Sequence, residues 1–460
     1  MFKVDCGQTP GYCDGLSRRS FVQLGIAGMA SVGLSRVLEA KTKSAESSRH
    51  YNKKAVILIW LDGGPGHLDT YDMKPDAPRE VRGIWNPIQS NVPGFDMTEL
   101  FPLQAQVADK FAVVRSLHHD TGDHFSGAHR MLTTYDSKVN GSNNEIRNPS
   151  LGSVVTQMMG ARNQGMPPYV AVPVASSVGL VPGYFGATYL GDQYNPFQTG
   201  SDPNQEDFKV ANLNLSQGLT LDRLEDRRQL QKTFDQMQRK VDQTGLLSAM
   251  DEFDQQAYNL VTGPNARHAF DINQEEAATR DRYGRSTWGQ STLLARRLVE
   301  AGSTFVTCHF GGWDHHWDLE AGMNNYLPKV DQAVSALFQD LSDRGLHDEV
   351  MVMLCGEFSR TPRMNNGGNG GPPLSKGTPG RDHWGNSMFC LLGGGGIRGG
   401  QTVGATDAKG ERPIERAVRP GDIHHTIYRV LGIDPEVAFL DHSGRPTKAI
   451  SEGAPIDELF

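Results

Sequence analysis

The run Ala55-Val56-Ile57-Leu58-Ile59-Trp60-Leu61, closed by Asp62-Gly63-Gly64-Pro65-Gly66, constrains the fold more than any other stretch of this chain. An unbroken apolar run rich in branched side chains suits a strand buried on both faces, as in a parallel sheet covered by helices. A carboxylate at its carboxyl end, followed by glycines, falls where open α/β sheets place ligands.

Five further runs have the same character: Phe111–Arg115, Tyr169–Pro173, Thr304–Cys308, Val350–Cys355 and Phe389–Leu392. Between them lie stretches with helical period. Ser286–Ala301 carries Leu293, Leu294 and Leu298; Lys329–Arg344 carries Val330, Ala333, Val334, Leu337, Phe338 and Leu341 before Gly345. This alternation predicts an α/β fold, a mostly parallel central sheet sandwiched between helices. About 201–282 the chain turns rich in Gln, Asp, Glu and Arg and predicts a helical insertion, with helices at Leu219–Val241 and Leu246–Val261. Asn365–Pro379 predicts a loop, and Asp422 an N-cap for a last helix over Thr426–Leu431.

The N-terminus predicts an address. Arg18-Arg19 stand before the weakly apolar run Leu24–Leu34, the pattern of a twin-arginine export signal. We therefore divide the chain into a signal and linker over 1–45 and a globular domain over 46–460. The expected location is the periplasm or beyond, reached with the twin-arginine machinery, and the apolar run is too short for more than a candidate signal anchor. A net charge of −8 spread along 460 residues gives no footprint for nucleic acid or anionic membranes. Cys308, Cys355 and Cys390 lie in apolar runs and read as buried free thiols.

Polar clusters recur at the strand ends. Gly311-Gly312-Trp313-Asp314-His315-His316-Trp317-Asp318 follows the fourth run and brings carboxylates and imidazoles together, a set that a divalent metal satisfies. On an extended segment Asp314 and His316 share a face, while His315 points away and His309 lies on the approach. Asp62 and Glu357 stand at other strand ends as candidate ligands, and His383 is a fourth, with Asp382 or its neighbours to orient it. Arg360 is a candidate anchor for an anionic group, or else a partner for Glu357. His118–His129 holds four histidines. There Asp123 suits an N-cap, which puts Ser126 in the first turn of a helix, a place for a nucleophile. Zn, Mn or Fe fit imidazole with carboxylate better than Ca does, and Mg and Ca remain among the candidate ions.

The motifs L-D-G-G-P-G-H-L-D-T-Y-D, G-G-W-D-H-H, G-E-F-S-R-T-P-R, R-D-H-W-G and G-G-G-I-R-G-G-Q-T-V-G-A-T-D together resemble the domain-of-unknown-function 1501 family, over about residues 53–445. That family is similar to the alkaline phosphatase and sulfatase superfamily. The resemblance implies one or two divalent ions at strand ends. Asp62 then takes the first-strand ligand position, Asp314 and His316 the next Asp/His pair, and His383 the late histidine, with Ser126 nearest to the nucleophile. It implies an exported hydrolase of phosphate or sulfate esters, acting on an anionic small molecule or polysaccharide with Ser126 or a metal-bound water as nucleophile. The pattern departs at one place: Glu357-Phe358 stand where the superfamily has adjacent Asp-His. That departure supports a second expectation, a degenerate exported binding or assembly protein.

Overall fold

Strand β1 (Ala55–Asp62) shows why a sheet forms here. Its residues alternate between two cores: Ala55, Ile57, Ile59 and Leu61 enter one, while Val56, Leu58 and Trp60 enter the other. Both faces are buried, so the strand sits mid-sheet. The structure, a computed structural model, describes residues 53–137, 146–210, 263–365 and 379–460. Lys53–Phe460 is one compact unit.

Seven more strands complete the sheet: β2 (Phe111–Leu117), β3 (Tyr169–Val172), β4 (Phe197–Gln198), β5 (Phe305–Gly311), β6 (Val350–Cys355), β7 (Met388–Gly394) and β8 (Gln401–Val403). Their order is β8-β2-β7-β6-β1-β5-β3-β4. All neighbours are parallel except β7, which runs antiparallel to both β2 and β6. The mostly parallel sheet between helices is thus present, and each of the six sequence-predicted runs lies in it. Because β7 enters from the edge where its neighbours leave, the residues just before it reach the same edge as the ends of β1, β5 and β6.

Five helices matter for the site and its supports: α1 (His124–Thr133), α2 (Leu151–Met159), α3 (Thr287–Ala301), α4 (Leu319–Asp343) and α5 (Pro420–Leu431). Ser286 caps α3 by accepting from Gly289 N at 3.1 Å. Helix α4 is longer than its predicted Lys329 start, since it continues through Pro328. A proline removes one N–H and crowds one turn, and the buried Leu319, Met323 and Leu327 hold that turn in place. Gly345, at φ 69, ends α4 where expected, with Leu346 N donating to Leu341 O at 2.8 Å.

Asp422 is not the N-cap of the last helix. Helix α5 starts at Pro420, with Arg419 as N-cap, and the Asp422 carboxylate accepts from Arg419 N at 2.8 Å as the third residue of a capping box. The three cysteines are free and buried. The signal region, the helices at Leu219–Val241 and Leu246–Val261, and nearly all of the Asn365–Pro379 loop lie outside the described residues. No helix among those described is long and apolar enough to cross a membrane.

Candidate metal centre

Strand β1 leaves the sheet beside β5, with Asp62 level with Gly311. Gly63, at φ +111, lets the two exits touch, since a Cβ there would lie 2.7 Å from the Asp314 backbone nitrogen. Beyond β5, Trp313 is fully buried and turns inward: its Nε1 donates to Phe310 O at 2.8 Å, and its ring stacks on Trp288 at 5.5 Å. That anchor leaves Asp314 facing outward, with its side chain 47% exposed. His315 turns away, its ring 5.5 Å from that of Tyr326.

Three ligand-type atoms meet here. Asp314 Oδ1 lies 3.0 Å from His316 Nε2 and 3.1 Å from His383 Nε2, and the two Nε2 atoms are 3.0 Å apart. The other nitrogen of each ring fixes the tautomer. His316 Nδ1 faces Asp382 Oδ1 at 2.7 Å, and His383 Nδ1 faces Gly122 O at 2.8 Å. Both partners are acceptors, so each Nδ1 carries the N–H and donates. In a neutral ring each Nε2 is then a lone pair, aimed at the other ring and at a carboxylate oxygen. A divalent cation among these three atoms would suit them, beside the Arg360 guanidinium that already bonds Asp314 Oδ1. Histidine ligands characteristically donate their second N–H to a carboxylate or carbonyl. Tetrahedral zinc ligands at their usual bond lengths sit about 3.4 Å from one another, so these spacings are close to a coordinating face.

An overlapping triple shares two of these residues. Ligand atoms of His124, Asp314 and His383 all lie within 4.8 Å of one another. Asp123 caps helix α1 by accepting from Ser126 N at 2.9 Å, which places His124 as the first helical residue. His124 Nδ1 lies 2.7 Å from Glu357 Oε1, and its Nε2 lies 3.3 Å from Asp314 Oδ2. Burial disfavours the His124 cation, but the Asp314 and Glu357 carboxylates outweigh it and raise the pKa to about 9. Burial pushes the Asp314 carboxyl upward, yet His124, His383 and Arg360 hold it far below the usual range. Glu357 is fully buried, and burial, together with Asp62, raises its carboxyl. Its Oε1 accepts from Gly63 N at 2.8 Å, while Oε2 has no hydrogen-bond partner. A buried carboxylate oxygen without a donor is costly, and a cation is one group that satisfies it.

The expected ligands are therefore placed unequally. Asp314, His316 and His383 form the cluster, and Glu357 reaches it through His124. Asp62 stands to one side: its oxygens accept from Val178 N at 3.0 and 3.2 Å, and Oδ2 lies 3.1 Å from His309 Nε2. Asp382 orients His316 and not the adjacent His383, because neighbours on an extended segment point to opposite faces. Ser126 sits in the first turn of α1, where its hydroxyl accepts from Ser137 Oγ at 2.9 Å. Arg360 is fully buried and does not pair with Glu357. Its Nε donates to Gly64 O at 2.8 Å, its Nη1 to Arg381 O at 3.3 Å, and its Nη2 to Gly63 O and to Asp314 Oδ1, the last at 2.6 Å. A guanidinium so engaged holds Asp314 in place; its donors point at the protein. Phe358, in the departing position, lies under the histidines, with ring centroids 4.8 Å from His124 and 4.6 Å from His383.

Sequence reasoning gave His124 no role. The one signal was its place beside the cap Asp123, in a segment dense in histidine.

Fold and site define an α/β protein with a histidine–carboxylate cluster at the carboxyl edge of a mostly parallel sheet. Residues 53–460 match the family described as "Protein of unknown function (DUF1501)", and the chain belongs to that family. No curated protein matches the chain. Solved structures similar to it include an alkaline phosphatase from the Antarctic bacterium TAB5, at 12% identity over 83% of this chain and 98% of that one, with TM-score 0.36. A sulfatase from Pseudoalteromonas sp. is 13% identical over 86% of this chain and 72% of that one, with TM-score 0.37. A lipoteichoic acid synthase from Listeria monocytogenes is 11% identical over 85% of this chain and 78% of that one, with TM-score 0.34. None of these likenesses bears on the chemistry of the site, which rests on its own geometry.

Proposed function

We propose that this protein is an exported metal-dependent hydrolase of phosphate or sulfate esters. The observation that carries the reading is the convergence of His316 Nε2 and His383 Nε2 on Asp314 Oδ1, while each ring's Nδ1 faces an acceptor. His316, His383 and Asp314 would hold the ion, with His124 able to join them on losing the proton that Asp314 and Glu357 favour. A bound divalent ion would polarise an ester oxygen and lower the pKa of a coordinated water. Around it, Arg360 keeps the Asp314 carboxylate aimed at the cluster. Asp382 and the Gly122 carbonyl keep the two imidazoles in the ligating tautomer. Phe358 excludes water from beneath the rings. The Arg18-Arg19 leader supports the exported part of the reading.

A second reading has one observation in its favour. The Ser126 hydroxyl is bonded to Ser137, and no described contact brings it to Asp314. On that reading the protein binds a metal, lacks a protein nucleophile and serves as a binding or assembly protein.

Elemental analysis of protein recovered from the exported cell fraction, followed by assays on aryl phosphate and aryl sulfate esters, separates the two. We expect at least one equivalent of a divalent metal, lost in Asp314→Ala and His383→Ala, and turnover that disappears in the same variants. Metal without turnover selects the binding-protein reading. Absence of metal from the wild type sinks both, and recovery only from the cytoplasm sinks export.

A further inference from the structure

A cavity of about 390 Å³ lies outside the cluster just described, lined among others by Met73, Arg79, Arg82, Trp85, Asn86 and Glu320. Its size falls within the range of small-ligand sites. Its wall is built in part from the chain segments that carry the metal centre. Glu320, in the first turn of α4, follows His316 by four residues, and Pro379, also on the wall, stands shortly before Asp382 and bridges to Trp317. The short helix Arg79–Arg82 is tied to the same loop: Arg381 Nη2 donates to Val81 O at 2.9 Å, and Met364 N donates to Glu80 O at 2.8 Å. Arg381 itself is fully buried, its Nε 2.9 Å from the buried carboxylate of Asp69. The cavity and the His383 loop therefore share one rigid support.

The lining has a definite chemistry. Arg79 and Arg82 are exposed, and among the described residues neither pairs with a carboxylate. Arg82 makes a single long bond to the Pro75 carbonyl, at 3.4 Å. Two guanidinium groups without acidic partners beside one cavity favour an oxyanion, which Arg recognises with paired donors. Trp85 and Met73 supply apolar surface, and Asn86 brings an amide. Trp85 Nε1 is already taken by Asn324 Oδ1 at 3.0 Å, so the indole offers surface and not a donor.

We infer that this cavity is a second substrate subsite, in which a sulfate, phosphate or carboxylate remote from the reacting ester meets Arg79 and Arg82. The inference rests on the hydrolase reading and narrows its substrate class to an ester with more than one anionic group, one at the metal centre and another here. Binding energy from such a remote group serves to position the reacting ester.

The test is calorimetric titration of the full-length protein with a short dextran sulfate oligosaccharide at low salt. Three variants accompany the wild type: Arg79→Gln with Arg82→Gln, Lys409→Gln with Arg412→Gln, and Asp314→Ala. Losing two charge-assisted contacts weakens binding by roughly tenfold or more in the first variant. The second removes the same charge from exposed residues elsewhere and leaves affinity within about twofold. Metal content stays at the wild-type level in both, which shows that they fold. No binding by the wild type, equal binding by the first variant, or an equal loss in the second overturns the subsite. The Asp314→Ala variant keeps the two proposals apart: it loses the metal and still binds the oligosaccharide through the cavity.

Discussion

At the scale of single residues, the site depends on which atom of each side chain is already engaged. His316 and His383 would be ordinary polar histidines if their Nδ1 atoms faced donors. They face Asp382 and the Gly122 carbonyl, and that choice makes both Nε2 atoms candidate ligands. Arg360 carries the same logic for Asp314. Replacing Arg360 by Leu would leave the Gly63 and Gly64 carbonyls and one carboxylate oxygen without their donor. With each orphaned buried group costing about 1–3 kcal/mol, we expect a stability loss of about 3–5 kcal/mol in urea unfolding, together with weaker metal binding. Arg360→Lys restores the charge but not the fork and should recover only part of either. A substrate anchor would behave differently, raising KM while leaving stability and metal content alone.

At the scale of elements, close approach decides the geometry. Helix α1 delivers His124 because Gly127 lets it sit against the β6 exit. A Cβ on Gly127 would fall 2.9 Å from Glu357 O and 3.1 Å from the Phe358 ring. Gly127→Ala therefore pushes the helix off Glu357. We expect a cost of about 1–3 kcal/mol, measurable as a lowered unfolding midpoint, and a larger fall in metal affinity than an exposed-face substitution on the same helix produces. Unchanged affinity would mean that His124 is no part of the ion's surroundings. The single reversed strand, β7, has an equal part. It enters at the edge where β1, β5 and β6 leave, so His383 precedes its strand while Asp62, Asp314 and Glu357 end or follow theirs.

At the scale of the whole molecule, two cores hold the sheet from both sides, and neutral histidines are built into them. His424 is fully buried on α5, its Nε2 2.9 Å from the Met131 carbonyl of α1, and burial lowers its pKa from 6.5 to about 4. His67 is buried and lowered by the same cause. The unfolded chain takes up these protons first as pH falls, so stability is lost from about pH 6.5 downward and the His424 share is gone below about 4. For His424 alone this loss is on the order of 3 kcal/mol. Chemical unfolding across that window should show stability rising with pH, and His424→Gln should flatten the slope by close to one proton. A slope unaffected by the substitution would assign the acid sensitivity to other groups.

The local pattern determined by itself that this chain forms a mostly parallel sheet, and where six of its eight strands lie; the short edge strands Phe197–Gln198 and Gln401–Val403 carry no such run. Apolar runs such as Ala55–Leu61 and Val350–Cys355 leave little else physically available, since only a doubly covered strand buries both their faces. It also determined that Asp314 and His316 face one way and His315 the other, because alternation along an extended segment is a local property. Only the tertiary structure decided the composition of the cluster. His124 and Glu357, or Arg360 and Asp314, are far apart in the chain, and which carboxylate meets which imidazole depends on strand order, on the reversal of β7 and on the gap left at Gly127. Tautomers were decided there as well, since a histidine's free nitrogen is set by the partner on its other one, and those partners, Asp382 and the Gly122 carbonyl, arrive through folding.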